Sequence, residues 1–168
     1  RISSLVARHY AGLSALHSVR DAALKAARDL RSTDKSASEE AVRAAQSRAL
    51  EAQGTLHRQF LSDLARDLSP AQIDQVKDGM TYGVLPLTFR VYQEMLPDLT
   101  PGQKAQIFAW LTEARELAMD GGTSEEKHAI FGRYKGRINN YLSAAGIDMK
   151  HAEHDMLARK KTAEKPSR

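Results

Sequence analysis

Apolar residues recur along the whole chain at steps of three and four, the spacing that places them on one face of an α-helix. The first such stretch covers residues 2–31, and the second follows the polar segment 32–36 and continues to Leu68. Because the connection between them is short, the two helices are predicted to run antiparallel as a long hairpin. No stretch of the sequence alternates with the period of two that is typical of a β-strand. The pattern therefore predicts an all-α fold.

Helix starts are marked by capping signatures. Residues 68–72 and 99–103 each place a hydroxyl at the N-cap, a proline at the first helical position and a glutamine at the third. Ser36 with Glu39 and Thr123 with Glu126 have the spacing of a capping box. The shorter helices that these signals and the glycine and proline breaks predict cover residues 70–79, 87–95, 100–119, 123–145 and 148–160, with a turn at 80–86.

The domain organisation follows from these elements. We expect a single helical domain over residues 1–159, in which the hairpin at 1–67 packs on a compact bundle of shorter helices at 68–159. The lysine-rich segment 160–168 is predicted to be a disordered basic tail.

Composition excludes several kinds of chemistry. The chain has no cysteine, which rules out disulfides, thiolate metal ligands and cysteine nucleophiles. No apolar run approaches the roughly 18 residues that a membrane-spanning helix needs. The net charge of +4 comes from interspersed basic and acidic residues, so the sequence offers no extended basic field and does not predict a nucleic-acid partner.

The segment 127–142 is the most unusual part of the sequence, because polar and glycine residues interrupt an amphipathic helix. Gly132 and Gly136 each cost about 1 kcal/mol in a helix interior relative to alanine, which predicts close approach by a neighbour or a ligand. Arg137 lies at the edge of the apolar stripe and, if buried, needs a carboxylate from the preceding helix. The segment fits a tightly packed helix pair with an internal ion pair, or a polar pocket of the kind that binds sugar hydroxyls or anions.

Three runs of sequence, at residues 77–86, 110–116 and 127–142, resemble a bacterial family of unknown function that carries a provisional sugar-binding label. Members of that family are mainly exported and are often encoded near polysaccharide-degradation genes. The resemblance implies a carbohydrate ligand, a periplasmic or secreted location and a non-enzymatic binding module. It implies no cofactor, and the sequence specifies no oligomeric state.

Two other functions remain open. The long hairpin and the Leu-Ser/Thr-x-x-Gln caps are similar to those of periplasmic stress chaperones of the Spy and CpxP type, which implies a chaperone-like or assembly role. Asp78, Glu113, Glu116 and Asp120 offer carboxylate pairs for a polysaccharide-processing enzyme. No catalytic motif accompanies these acids, so the sequence favours binding over catalysis.

If a ligand binds, we expect it in a cleft between the turn at 78–86 and the helix at 127–142, with no metal and no catalytic residue. The predicted ligand-binding residues are Asp78, Tyr82, His128, Lys135, Arg137, Asn139 and Asn140. Trp110 is a candidate apolar platform beside them. Lys135 and Asn139 should contact the ligand if they point into a pocket, whereas removal of Arg137 should destabilise the protein if Arg137 is a buried, paired charge.

Overall fold

The computed structural model describes residues 1–163, which form seven α-helices and contain no β-strand. The all-α prediction is therefore confirmed. The helices are α1 (Ile2–Asp29), α2 (Lys35–Leu64), α3 (Pro70–Met80), α4 (Val84–Met95), α5 (Pro101–Ala118), α6 (Ser124–Ala144) and α7 (Met149–Ala163), with a short 3₁₀ segment at Leu30–Ser32.

Contacts between residues divide the chain into two compact units. The first, which we call the hairpin unit, covers Arg1–Gln75, and the second, the bundle unit, begins at Val76. The division falls inside α3 rather than at the predicted boundary after residue 67. A single domain over residues 1–159 stays a prediction.

In the hairpin unit, α1 and α2 run antiparallel, as predicted. At one end of the pair the Arg1 guanidinium lies 2.9 Å from the Asp67 carboxylate. Further along, the rings of His9 and Phe60 stack with their centroids 4.3 Å apart. His9, Phe60 and Leu13 are all buried in the seam between the helices, so one line of contacts holds the pair together.

In the bundle unit, α5 is the central helix. It packs against α6 and also contacts α4. Its buried face meets the buried residues of α6, while α4 adds Leu85 and Tyr92 to the same core. The fully buried apolar residues of α5 and α6 are Ile107, Leu111, Ala114, Ala118, Phe131, Ile138 and Leu142.

The capping boxes at Ser69 and Thr100 form as predicted, with the glutamine side chain accepting a hydrogen bond from the N-cap amide in each. The cap predicted for the second helix is wrong. Its N-cap is Asp34, whose carboxylate accepts a hydrogen bond from the Ala37 amide at 2.9 Å. Asp34 has an extended backbone that suits an N-cap, and Ser36 consequently lies within the first helical turn.

Two element boundaries also differ from the predictions. The turn predicted at 80–86 is shorter, because α4 begins at Val84. Pro86 is accommodated in the first turn of α4, where its missing N–H leaves no intrahelical bond unmade. At the other end of the bundle unit, α7 continues to Ala163, and Lys160 pairs with Glu94 at 3.0 Å. Residues 160–163 are thus helical rather than disordered, and the rest of the predicted tail lies outside the described residues.

Candidate functional site

The turn between α3 and α4 holds Tyr82 in a conformation that glycine normally adopts. The Gly83 amide donates to the Asp78 carbonyl at 2.8 Å, and the Tyr82 amide donates to the Gly79 carbonyl at 3.4 Å. These two bonds define a Schellman motif, in which the residue after the C-cap takes the left-handed conformation. That residue is Tyr82, with φ at +58°.

The bundle unit contains a second turn of this kind for comparison. At the end of α6 the Ile147 amide donates to the Leu142 carbonyl, and the Gly146 amide donates to the Ser143 carbonyl. Gly146 occupies the left-handed position there, with φ at +86°. A side chain at this position costs roughly 1–2 kcal/mol, which glycine avoids. The α3 turn therefore carries a strain that the α6 turn does not.

Ion pairs between α3 and α5 lie beneath this turn. The Lys77 ammonium donates to both oxygens of Glu116 at 2.8 Å. Arg115, only 5 % exposed, donates from Nη1 to the Asp78 carboxylate at 2.8 Å. Buried charges are costly unless they are paired, so these contacts fix the end of α3 against α5.

Lys127 on α6 adds a further cation to these paired side chains. We call the set of Lys77, Asp78, Arg115, Glu116 and Lys127 the charged layer. The Lys127 side chain is buried, and its ammonium donates to the Met80 carbonyl at 2.8 Å. The same ammonium lies 5.7 Å from the centre of the Tyr82 ring, within reach of a cation–π interaction. Asp120, at the end of α5, is also buried in this unit.

Tyr82 and His128 form an aromatic pair at the surface above this layer. Their rings stack with centroids 5.6 Å apart and planes inclined by 18°. Tyr82 nevertheless remains 59 % exposed. The His128 Nδ1 atom lies 2.7 Å from the Ser124 carbonyl oxygen. Because a carbonyl can only accept, Nδ1 carries the proton in this contact, and Nε2 is the acceptor of the neutral imidazole.

The structure brings together only some of the residues predicted to form one site. Tyr82 and His128 stack at the turn, whereas the Asp78 carboxylate is bonded to Arg115. Lys135 and Asn139 lie further along α6 and line a different groove, which also borders α4 and α7. Lys135 is seven residues beyond His128, which corresponds to roughly 10 Å along the helix axis.

Asn139 is held in that groove by Tyr92. The Tyr92 hydroxyl donates to the Asn139 side-chain oxygen at 2.7 Å and lies 3.4 Å from the Lys135 carbonyl oxygen. Burial raises the pKa of the Tyr92 phenol to about 12, because the ionised form is poorly solvated in the interior.

Arg137 lies on another side of α6 and is not buried, so the condition for a buried ion pair is not met. Its side chain is 56 % exposed and pairs with Glu113 of the preceding helix at 3.9 Å. The guanidinium lies 4.5 Å from the centre of the Trp110 ring. Trp110 is half-buried and packs edge-on against Tyr141, so Arg137 covers the surface that was expected to serve as an apolar platform.

The remaining predicted features of α6 are open to solvent. Asn140 is exposed and points about 100° around the helix from Asn139. Gly132 and Gly136 are exposed, and a Cβ atom added to either would meet no atom within 4 Å. The close approach by a neighbouring element that these glycines predicted is therefore absent among residues 1–163.

The charged layer is the part of the site that sequence reasoning missed. Arg115 follows Leu111 by four residues and precedes Ala118 by three, so it lies on the apolar stripe of α5. Lys127 precedes Phe131 by four residues, so it lies on the apolar stripe of α6. A charged residue at a core position of an amphipathic helix is the signal that indicates a buried ion pair.

Within residues 1–163, no group of three or more histidine and acidic side chains is arranged to hold a metal ion. On α7, His151 and His154 approach the Asp155 carboxylate to 3.3 Å and 3.7 Å. Among the described helices, none combines the length and the apolar character that crossing a bilayer demands.

Fold and site together define an all-helical protein with a surface aromatic pair next to a set of partly buried ion pairs. A family profile described as "Protein of unknown function (DUF3826)" matches residues 1–162, and the chain belongs to this family. None of the curated proteins matches the chain significantly. The resemblance to a family of unknown function is thereby confirmed.

Proposed function

We propose that this chain is a non-enzymatic, exported carbohydrate-binding module, and that the Tyr82–His128 pair is the surface on which a sugar ring stacks. The observation that carries the proposal is the conformation of Tyr82. A tyrosine occupies a left-handed position that suits glycine, and its ring remains largely exposed. Strain of this kind persists where the surrounding structure holds it and is concentrated at functional sites.

The chemistry of the pair suits a pyranose. An exposed aromatic face packs against the C–H face of a sugar ring, and polar groups at its edge bond the hydroxyls. Nε2 of neutral His128 is an acceptor for a hydroxyl beside the Tyr82 ring. Gly132, one turn further along α6, leaves open space next to the pair.

Asp78 and Glu116 support binding rather than hydrolysis. A glycosidase needs a carboxylic acid and a carboxylate that reach the scissile bond from either side. Here Asp78 is bonded to Arg115, and both oxygens of Glu116 are bonded to Lys77. These two acids are engaged in holding the turn.

The test is a glycan array followed by calorimetric titration of the tightest ligand. Tyr82→Gly removes the ring and suits the backbone, so we expect at least a tenfold loss of affinity with a melting temperature that is unchanged or higher. Phe108→Ala, which removes another exposed aromatic side chain of the bundle unit, should leave affinity unchanged. The proposal fails if no glycan binds, or if Tyr82→Gly binds as tightly as the parent.

A chaperone-like role of the hairpin unit is the second candidate, because this unit exposes large apolar side chains. Val19 and Leu50 are 69 % and 71 % exposed. A shallow groove of about 700 Å³, lined partly by Leu16, Ala52 and Leu56, lies along the two helices. Exposed apolar surface of this kind is where an unfolded client would bind.

The two candidates are separated by one pair of variants. If the hairpin binds clients, Val19→Gln with Leu50→Gln should abolish suppression of client aggregation, and Tyr82→Gly should not. Suppression that survives the double substitution would exclude this role for the surface around Val19 and Leu50.

A further inference from the structure

A second groove in the bundle unit has a composition unlike that of the Tyr82–His128 pair. It encloses about 580 Å³ between α4, α6 and α7, a volume within the usual range of small-molecule sites. Its floor is apolar, and polar side chains stand at its margins. The apolar lining residues include Val91, Met95, Met149 and Met156. The polar lining residues include Lys135, Asn139, Lys150 and Glu153.

The apolar part of the groove is rich in methionine. Met95 comes from α4, whereas Met149 and Met156 come from α7. Methionine side chains are flexible and polarizable, so they adapt to apolar ligands of different shape. Such a floor fits a hydrocarbon chain or ring better than a ligand covered with hydroxyl groups.

The polar part of the groove consists mainly of donors. Because the Asn139 side-chain oxygen accepts from Tyr92 at 2.7 Å, the NH₂ group of the same amide is the part left to bond a ligand. Within residues 1–163, neither Lys135 nor Lys150 has a carboxylate within 4 Å of its ammonium group. Glu153 is the one acidic residue that lines the groove.

We propose that this groove binds a small carboxylate with an apolar body, of the chemical class of a medium-chain fatty acid. The hydrocarbon lies on the methionine floor, and the carboxylate accepts from the lysine ammonium groups and the Asn139 amide. Ionised acceptors form the stronger hydrogen bonds, and a carboxylate supplies acceptors without requiring any in return. A neutral sugar requires acceptors for its hydroxyl protons, which this donor-rich groove offers sparingly.

Methionine methyl NMR tests the site directly, because the chain has five methionines and three of them line the groove. In protein labelled at the methionine methyl carbon, decanoate should shift the signals of Met95, Met149 and Met156. Met80 and Met119, which are buried and do not line the groove, serve as internal controls and should not move. Failure of the three signals to move at millimolar decanoate, or equal shifts of all five, would overturn the proposal.

The role of charge is tested with a neutral ligand and a lysine variant. Decanol should bind at least tenfold more weakly than decanoate. Lys135→Gln with Lys150→Gln should remove this difference, whereas Lys161→Gln, an exposed lysine of α7 outside the groove, should preserve it. Equal affinities for decanol and decanoate, or a preference that survives the double substitution, would show that the lysines do not recognise the carboxylate.

The groove and the aromatic pair are independent sites in this proposal. Tyr82→Gly should leave the decanoate shifts unchanged, and the lysine variant should leave glycan affinity at Tyr82 unchanged. Loss of decanoate binding in the Tyr82 variant would place the carboxylate elsewhere and refute the assignment.

Discussion

The hairpin unit and the bundle unit are both helical, yet they use charged residues in opposite ways. In the hairpin unit the ion pairs Arg20–Asp21 and Lys25–Asp29 connect near neighbours on the surface. In the bundle unit Arg115, in the last turn of α5, is buried and paired with a residue of α3. Charged residues of the same types face solvent in the hairpin unit and connect different helices in the bundle unit.

The difference follows from the number of elements that surround a charged side chain. Two helices that pack along one seam can keep charged side chains out of the interior, and no Lys, Arg, Asp or Glu of α1 or α2 is buried. Buried ions need partners that several elements supply at once. In the bundle unit α3, α5 and α6 all contribute, and the turn that their charges hold is the one that displays Tyr82.

The largest effect should come from removing a buried cation. Arg115→Ala leaves Asp78 without its 2.8 Å donor, and we expect a loss of about 3 kcal/mol or more in the free energy of unfolding. Arg20→Ala removes a surface pair and should cost at most about 1 kcal/mol. Urea unfolding of both variants measures the difference. Equal losses would show that the two units do not differ in how charge stabilises them.

The next effect concerns Tyr92, whose buried hydroxyl belongs to the bundle unit. Tyr92→Phe removes its hydrogen bond to Asn139 and should cost about 1 kcal/mol at pH 8. The pKa of Tyr92 is raised to about 12 in the folded protein, so the unfolded chain ionises first as the pH rises above its ordinary value near 10. Between these two pH values the ionisation of Tyr92 in the unfolded chain lowers the free energy of unfolding. The phenylalanine variant does not have this disadvantage.

At pH 12 that disadvantage amounts to roughly 2–3 kcal/mol, so the phenylalanine variant should become the more stable protein. Unfolding of both proteins at a series of pH values from 8 upward tests this crossover. Lysine titration affects both proteins alike and cancels in the difference. A difference that stays constant with pH would contradict the raised pKa.

The smallest effect compares glycines in the two units. An alanine Cβ at Gly132 would meet no atom within 4 Å, so Gly132→Ala should stabilise the helix by about 0.5–1 kcal/mol. In the hairpin, a Cβ at Gly12 would lie 2.9 Å from the Leu56 Cδ2 methyl. Gly12→Ala should therefore gain less, or lose stability, because Leu56 must move. Equal stabilisation by both substitutions in thermal unfolding would show that the hairpin seam is loosely packed.

The helices could be predicted from the sequence, because the signals that define them are local. A period of three to four residues defines each apolar face, and the caps at Ser69, Thr100 and Thr123 bond to atoms three residues away. The cap at Asp34 was missed because two polar residues close together, Asp34 and Ser36, compete for one helix start. The antiparallel hairpin followed from the short connection between α1 and α2.

The grouping of the site residues, in contrast, depends on the packing of the helices. Residues 127–142 share one helix, but a helix distributes neighbouring positions around its axis, so each position faces a different element. His128 therefore meets Tyr82, Asn139 meets Tyr92, and Arg137 meets Trp110. The partners of Arg115 and Lys127 are 37 and 47 residues away in the sequence. No local pattern encodes such separations, because they depend on how α3, α5 and α6 pack together.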